Sequence, residues 1–238
     1  MTFLILQAGT PVAPLRRHGG FPHWIRVAAG LDADDAVAVD IASEPPPAPE
    51  GFAGAIVTGS AAMVSHRHDW SERAAGWLRD AARSGLPLFG ICYGHQLLAH
   101  ALGGRVDDHP HGREMGTVDI EVLSAAQGDP LFGGLSGSFA AHATHLQTVL
   151  EPPPAATVLA RSAHDACQAF RWGDSAWGVQ FHPEFSAAHM RGYVDARRDA
   201  LRAEGRDPVA MSRTITATPV ARRLMRRFVA FARQRQSR

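Results

Sequence analysis

The chain has 238 residues, 45% of them apolar and 20% charged, the proportions of a globular protein with room for one full core. Its formal net charge of +1 supplies no overall field toward nucleic acid or an anionic membrane. All 24 Lys+Arg positions are arginine, a coding bias rather than a functional signal.

The N-terminal MTFLILQAGTP has no basic segment, and its apolar run is too short for a secretory signal. No stretch approaches the roughly 20 apolar residues of a membrane span. A cytoplasmic, reducing setting is therefore expected. Cys92 and Cys167 are the only cysteines, and Cys92 is expected to be a free thiol. TFLILQ (2–7), AVAVDIA (36–42), AGAIVTG (53–59) and LPLFGIC (86–92) are near-continuous apolar runs, as in strands buried on both faces. Helical patterns separate them at about 20–30, 70–84 and 94–102. In the second of these, Trp70, Ala74, Trp77, Leu78 and Ala81 keep helical spacing, and Gly85 and Pro87 end it. The alternation predicts a single α/β domain over 1–238, with a mostly parallel central sheet flanked by helices.

The second half is richer in strands, at hairpin-like spacing: 116–123, 138–144, 157–163, 167–172 and 176–182. EPPPAPE (44–50) and EPPPAA (151–156) are proline-rich loops. Helices return at about 186–204 and 219–235, so 186–238 is expected to be a helical extension packed on the domain. Val220, Leu224, Phe228 and Phe231 lie on one face of the last helix. That pattern favours a docked amphipathic helix with a basic outer side over a nucleic-acid-binding tail.

FGICYGHQLLAHALGG (89–104) places Cys92 where a strand runs into a helix, between Gly90 and Gly94. The G-x-C-x-G pattern has the mechanics of a nucleophile elbow, a tight turn that lifts the side chain above the sheet edge. The helix N-terminus behind it favours a thiolate. WGVQFHPEF (177–185) supplies a matching base: His182 ends a strand, and Glu184, two residues on, is placed to orient the imidazole.

These two segments resemble the class I, triad-type glutamine amidotransferases, and stand-alone proteins similar to the glutaminase domain of GMP synthase in particular. LQAGTP, VTGSAAMV, GREMG (112–116) and HATHLQTVL extend the resemblance over nearly the whole chain. It implies a flavodoxin-like sheet with an antiparallel second half, and hydrolysis of the glutamine side-chain amide through a γ-glutamyl thioester. By motif position, Cys92 is the nucleophile, His182 the general base and acid, and Glu184 its orienter. The amides of Gly59 and Tyr93 would form the oxyanion hole. Ser60, Gln96, His142, Ala143 and Thr144 would contact substrate. The 142–144 segment is usually His-Gly-Asp in the family, so Ala143 and Thr144 are departures. Arg113 and Glu114 either read the far end of the substrate or form a solvated charge pair.

No cofactor is expected, since the chain has neither GxxxxGK[ST] nor GxGxxG. The pairs His66/His68, His109/His111 and His142/His145 lack the spacing of metal sites, so no metal is expected either. Glutamine or another γ-glutamyl substrate is the expected ligand. Fewer than 60 residues follow Glu184, too few for a synthetase domain, so ammonia transfer would need a separate synthase chain. The alternative is a stand-alone γ-glutamyl hydrolase acting on γ-glutamyl amides. A catalytically silent binding module ranks behind both, because cysteine and histidine are retained. Oligomeric state is not specified by the sequence.

Overall fold

The protein is described by a computed structural model covering residues 2–236. Strand and helix alternate through β1 (Phe3–Gln7), α1 (Phe21–Ala29), β2 (Ala36–Asp40), β3 (Ala55–Val57), α2 (Asp69–Arg83), β4 (Leu88–Ile91) and α3 (Tyr93–Ala101). The four strands pair in parallel in the order β2-β1-β3-β4. Alternate residues of β1 enter two cores. Phe3 and Ile5 pack with Ile25 and Ala28 of α1 on one face, and Leu4 and Leu6 with Ala74 and Leu78 of α2 on the other. This two-sided burial is why these strands read as unbroken apolar runs. β2 departs from that expectation: it is the sheet edge, and Val37 is 50% exposed.

The chain continues through β5 (Arg105–Asp108), β6 (Glu114–Val122), β7 (Ser138–His145), β8 (Gln147–Glu151), β9 (Ala156–Arg161), β10 (Ala169–Trp172) and β11 (Ala176–Val179). β11 returns to the middle of the sheet and pairs in parallel with β4. β10, β9, β6 and β7 then extend the sheet antiparallel, completing nine strands. β5 and β8 form a separate antiparallel ribbon that the sequence pattern did not indicate. Only Leu146 separates β7 from β8, so no turn signal divides them.

Four helices close the described chain: α4 (Ala187–Ala196), α5 (Arg198–Ala203), α6 (Pro208–Thr214) and α7 (Pro219–Gln236). The helix expected over 186–204 is broken at Arg197, whose φ of −107° caps α4 and starts α5. α6 was not expected, although Asp207 caps it by accepting from the amides of Val209 and Ala210. α7 lies against the sheet face that carries Phe3 and Phe89, with the Phe228 ring 6.3 and 5.2 Å from theirs. A third cluster, including Leu15, Phe21, Trp24, Phe185 and Tyr193, joins α1 to α4. Among the described residues, no helix is long and apolar enough to cross a membrane.

Candidate active site

Cys92 stands alone between the end of β4 and the start of α3, at φ 51° and ψ −101°. A non-glycine residue held at positive φ costs on the order of 1–3 kcal/mol, so its surroundings must enforce it. The Cys92 amide donates to the Val179 carbonyl at 2.8 Å, and its carbonyl accepts from the Gln96 amide at 3.0 Å. The bracketing glycines do not carry the strained dihedral; they permit close approach. A β-carbon on Gly90 would lie 2.4 Å from the Gly94 carbonyl oxygen, and one on Gly94 would lie 2.5 Å from that of Val57.

β11 delivers the histidine. Its Val179 lies opposite Ile91 in β4, so the chain leaves the sheet edge beside Cys92. The strand ends at Val179 rather than at His182, which sits in the turn beyond. The His182 amide donates to the His142 carbonyl at 2.7 Å, and its Nδ1 lies 2.8 Å from Glu184 Oε1. Phe185 stacks on the ring at 4.1 Å between centroids. Nε2 is left for the Cys92 thiol, with which His182 hydrogen-bonds. Burial alone would raise the thiol, but the neighbouring imidazolium overcomes it and holds Cys92 below its ordinary value. Burial would lower His182; Glu184 and the Cys92 sulfur outweigh it and hold the imidazole well above its ordinary value. The arrangement favours a thiolate beside an imidazolium.

Gly59 closes over both groups. A β-carbon there would sit 3.0 Å from His182 Cε1 and 3.9 Å from Cys92 Cβ. Tyr93 is the first residue of α3, where backbone amides have no partner within the helix. Its side chain turns away, with the hydroxyl 2.6 Å from Ser71 Oγ.

Two cavities flank Cys92. Ser60, Ala61, Cys92, Thr144 and Arg197 line both. His182 and Tyr193 line the larger, about 340 Å³ in volume. Gln96, Arg113, His145 and Gln147 line the other. Gln96 Nε2 donates to the Gln147 carbonyl at 2.7 Å and to Gln180 Oε1 at 2.9 Å, which leaves its own carbonyl oxygen for a ligand. Of the 142–144 segment only Thr144 reaches a cavity. His142 and Ala143 are fully buried, and the His142 carbonyl is occupied by the His182 amide.

Glu114 meets neither expectation set for it. It is 4% exposed and fixed by three side chains: His145 Nε2 at 2.9 Å, Ser162 Oγ at 2.6 Å and Gln168 Nε2 at 2.5 Å. His145 Nδ1 faces the Gln147 carbonyl at 2.9 Å. Both ring nitrogens therefore meet acceptors, which calls for an imidazolium. Burial opposes that charge, but the Glu114 hydrogen bond prevails and raises His145. Arg113 differs from Glu114: it lines a cavity and pairs with Glu204 at 3.0 Å. Sequence reasoning missed His145, Gln147 and Arg197 at the site. His145 lies within the HATHL segment, but Arg197 carries no motif.

Cys167 is buried, and burial pushes its thiol up, the opposite of Cys92. Neither cysteine is in a disulfide. Among the described residues, no three His, Cys, Asp or Glu side chains are grouped to hold a metal ion.

The family model for class-I glutamine amidotransferases matches residues 37–194. The chain is 32% identical over 180 residues to one of the subunits of the glutamine-hydrolysing GMP synthase of Halobacterium salinarum, covering 74% of this chain and 89% of that one. It is 41% identical over 133 residues to the glutamine-hydrolysing GMP synthase of Aeropyrum pernix, covering 56% of this chain but only 24% of that protein. The chain thus matches about a quarter of the length of that larger synthase. Among solved structures, a glutamine amidotransferase from Methylobacillus flagellatus aligns with a TM-score of 0.77 and 25% identity, over 98% of this chain and 94% of that one. A glutamine amidotransferase from Thermotoga maritima shares the fold, with a TM-score of 0.75 and 21% identity over 97% of each chain.

Proposed function

The chain belongs to the class I glutamine amidotransferases, and from that premise we propose that it hydrolyses the side-chain amide of glutamine through a thioester on Cys92. The observation that carries this reading is the buried pairing of Cys92 with His182 at the end of β4 and β11, with Glu184 2.8 Å from the far ring nitrogen.

Cys92 Sγ attacks the amide carbon. The oxyanion that forms takes hydrogen bonds from the amides of Gly59 and Tyr93, groups of the kind worth about 100-fold each in rate. His182 Nε2 gives its proton to the leaving nitrogen. The C–N bond breaks, ammonia departs, and the γ-glutamyl group stays on sulfur. A water then loses a proton to Nε2 and attacks the thioester. Glutamate leaves, and the thiolate–imidazolium pair is restored. Glu184 keeps the Nδ1 proton throughout, which fixes the tautomer. Ser60 and the free carbonyl of Gln96 meet the substrate from the cavity walls.

The relatives named as one of the subunits of GMP synthase support a role as a glutaminase that serves a separate synthase chain. One observation favours a second reading, a stand-alone γ-glutamyl hydrolase. The cavity on the His182 side, where the protonated amine would leave, has room for far more than ammonia. Purified protein assayed alone on glutamine and on γ-glutamyl dipeptides tests both. Glutamate release from either, abolished in Cys92→Ala, upholds the thiol chemistry, and the preferred substrate selects between the readings. Labelling with a glutamine-like chloroketone should place the adduct on Cys92, spare Cys167 and fail in His182→Ala.

A further inference from the structure

Among the described residues, the cavities beside Cys92 are lined by arginines and by no carboxylate. The arginines differ in state. Arg113 is neutralised by Glu204 at 3.0 Å. Arg16 is exposed at the outer wall. Arg197 is part-buried, lines both cavities, and forms no ion pair among the described residues. It is also held in place. One Nη1 donor goes to Thr144 Oγ1, and the guanidinium carbon lies 5.3 Å above the Tyr193 ring. Arg197 sits at the break between α4 and α5, so backbone as well as side chain fixes where it starts.

A part-buried guanidinium that forms no ion pair has donors to offer a carboxylate ligand. Its planar fork binds a carboxylate through two parallel hydrogen bonds. Within a γ-glutamyl group the α-carboxylate is the only anion, and it lies a few bonds from the carbon that Cys92 attacks. We propose that Arg197 is the specificity residue that binds this α-carboxylate, an inference that rests on the thiol-dependent amide hydrolysis proposed above. Thr144 is part of the device. Where the family pattern usually has aspartate, threonine orients the guanidinium without cancelling its charge. An aspartate at 144 would pair with Arg197 and compete with the substrate.

The test compares L-glutamine with L-glutaminamide, its α-carboxamide, as the ratio of kcat/KM values. That ratio does not depend on how much of a variant preparation is folded. The wild type should prefer the carboxylate by about 100-fold, the scale of a charged hydrogen-bonding partner lost from a binding site. Arg197→Met should bring the ratio toward unity, Arg197→Lys should keep part of it, and Thr144→Asp should lower it through KM. An unchanged ratio in Arg197→Met overturns the assignment while leaving the thiol-dependent amide hydrolysis intact. Failure of the wild type to turn over any γ-glutamyl amide overturns both.

Discussion

The α-carbon of Gly59 lies so close to His182 that a β-carbon added there would stand 3.0 Å from Cε1 of the imidazole. The ring is stacked on Phe185 and tied to Glu184, so it cannot retreat without losing one of those contacts. Gly59→Ala should therefore displace the base while the core stays as it is. The expected result is a fall in kcat/KM of about 10-fold, since the ring must yield by a few tenths of an ångström and not the full 1 Å that costs about 100-fold, with Tm close to wild type. A steady-state assay and a thermal melt on the same preparation check it.

The pH dependence of Cys92 alkylation reports the ion pair directly. With the thiol held below its ordinary 9.0 by His182, the rate of iodoacetamide modification should already have levelled off well below that pH. In His182→Ala the burial remains and its opposing charge is gone, so the midpoint should move above 9.0. For catalysis the sign is set by both partners. kcat/KM should rise as Cys92 ionises and fall only when His182 loses its proton, well above the ordinary 6.5 of an imidazole.

Glu114→Gln should destabilise the fold by up to about 3–5 kcal/mol near neutrality, because it breaks a buried ion pair and leaves His145 only the more distant Asp165, 4.0 Å away, as a carboxylate neighbour. Glu114 is held below its ordinary 4.5, so its contribution is present above that pH and lost as pH falls through its folded value. His145 is held above 6.5, so its contribution is present below that pH and lost as pH rises through its folded value. Melting curves against pH should show the variant's deficit largest between those limits and shrinking on acidification. The Cys92 alkylation midpoint should also rise slightly, since a charged His145 helps hold the thiol down.

Gly94→Ala tests the elbow in another way. Its β-carbon would press to 2.5 Å on the Val57 carbonyl, backbone against backbone. Overpacking of this kind costs about 1–3 kcal/mol or more. The variant should lose Tm as well as activity, unlike Gly59→Ala, and chemical denaturation would separate the two.

The elbow and the HPE turn were legible because their residues answer to local demands: a strand-to-helix junction packed too tightly for side chains, and a proline in the turn that follows β11. The parallel half of the sheet was legible for the same kind of reason, since burial on two faces writes itself as continuous apolar runs. Arg197 was not legible. An arginine inside a helical stretch looks like any solvated arginine until the break between α4 and α5 turns it toward Thr144. Glu114 and His145 were read apart because 31 residues separate them, and only the register of β6 with β7 brings the two opposite each other. The β5–β8 ribbon was hidden because a single residue parts β8 from β7.

The placement of β11 beside β4 has a consequence for the birth of the enzyme. A ribosome releases Cys92 long before it makes His182, and every strand from β5 to β10 emerges in the interval. Until β11 pairs with β4, nothing holds the His182 imidazole beside that sulfur. The pairing of Cys92 with His182 is thus a product of the completed central sheet and not of either local segment alone.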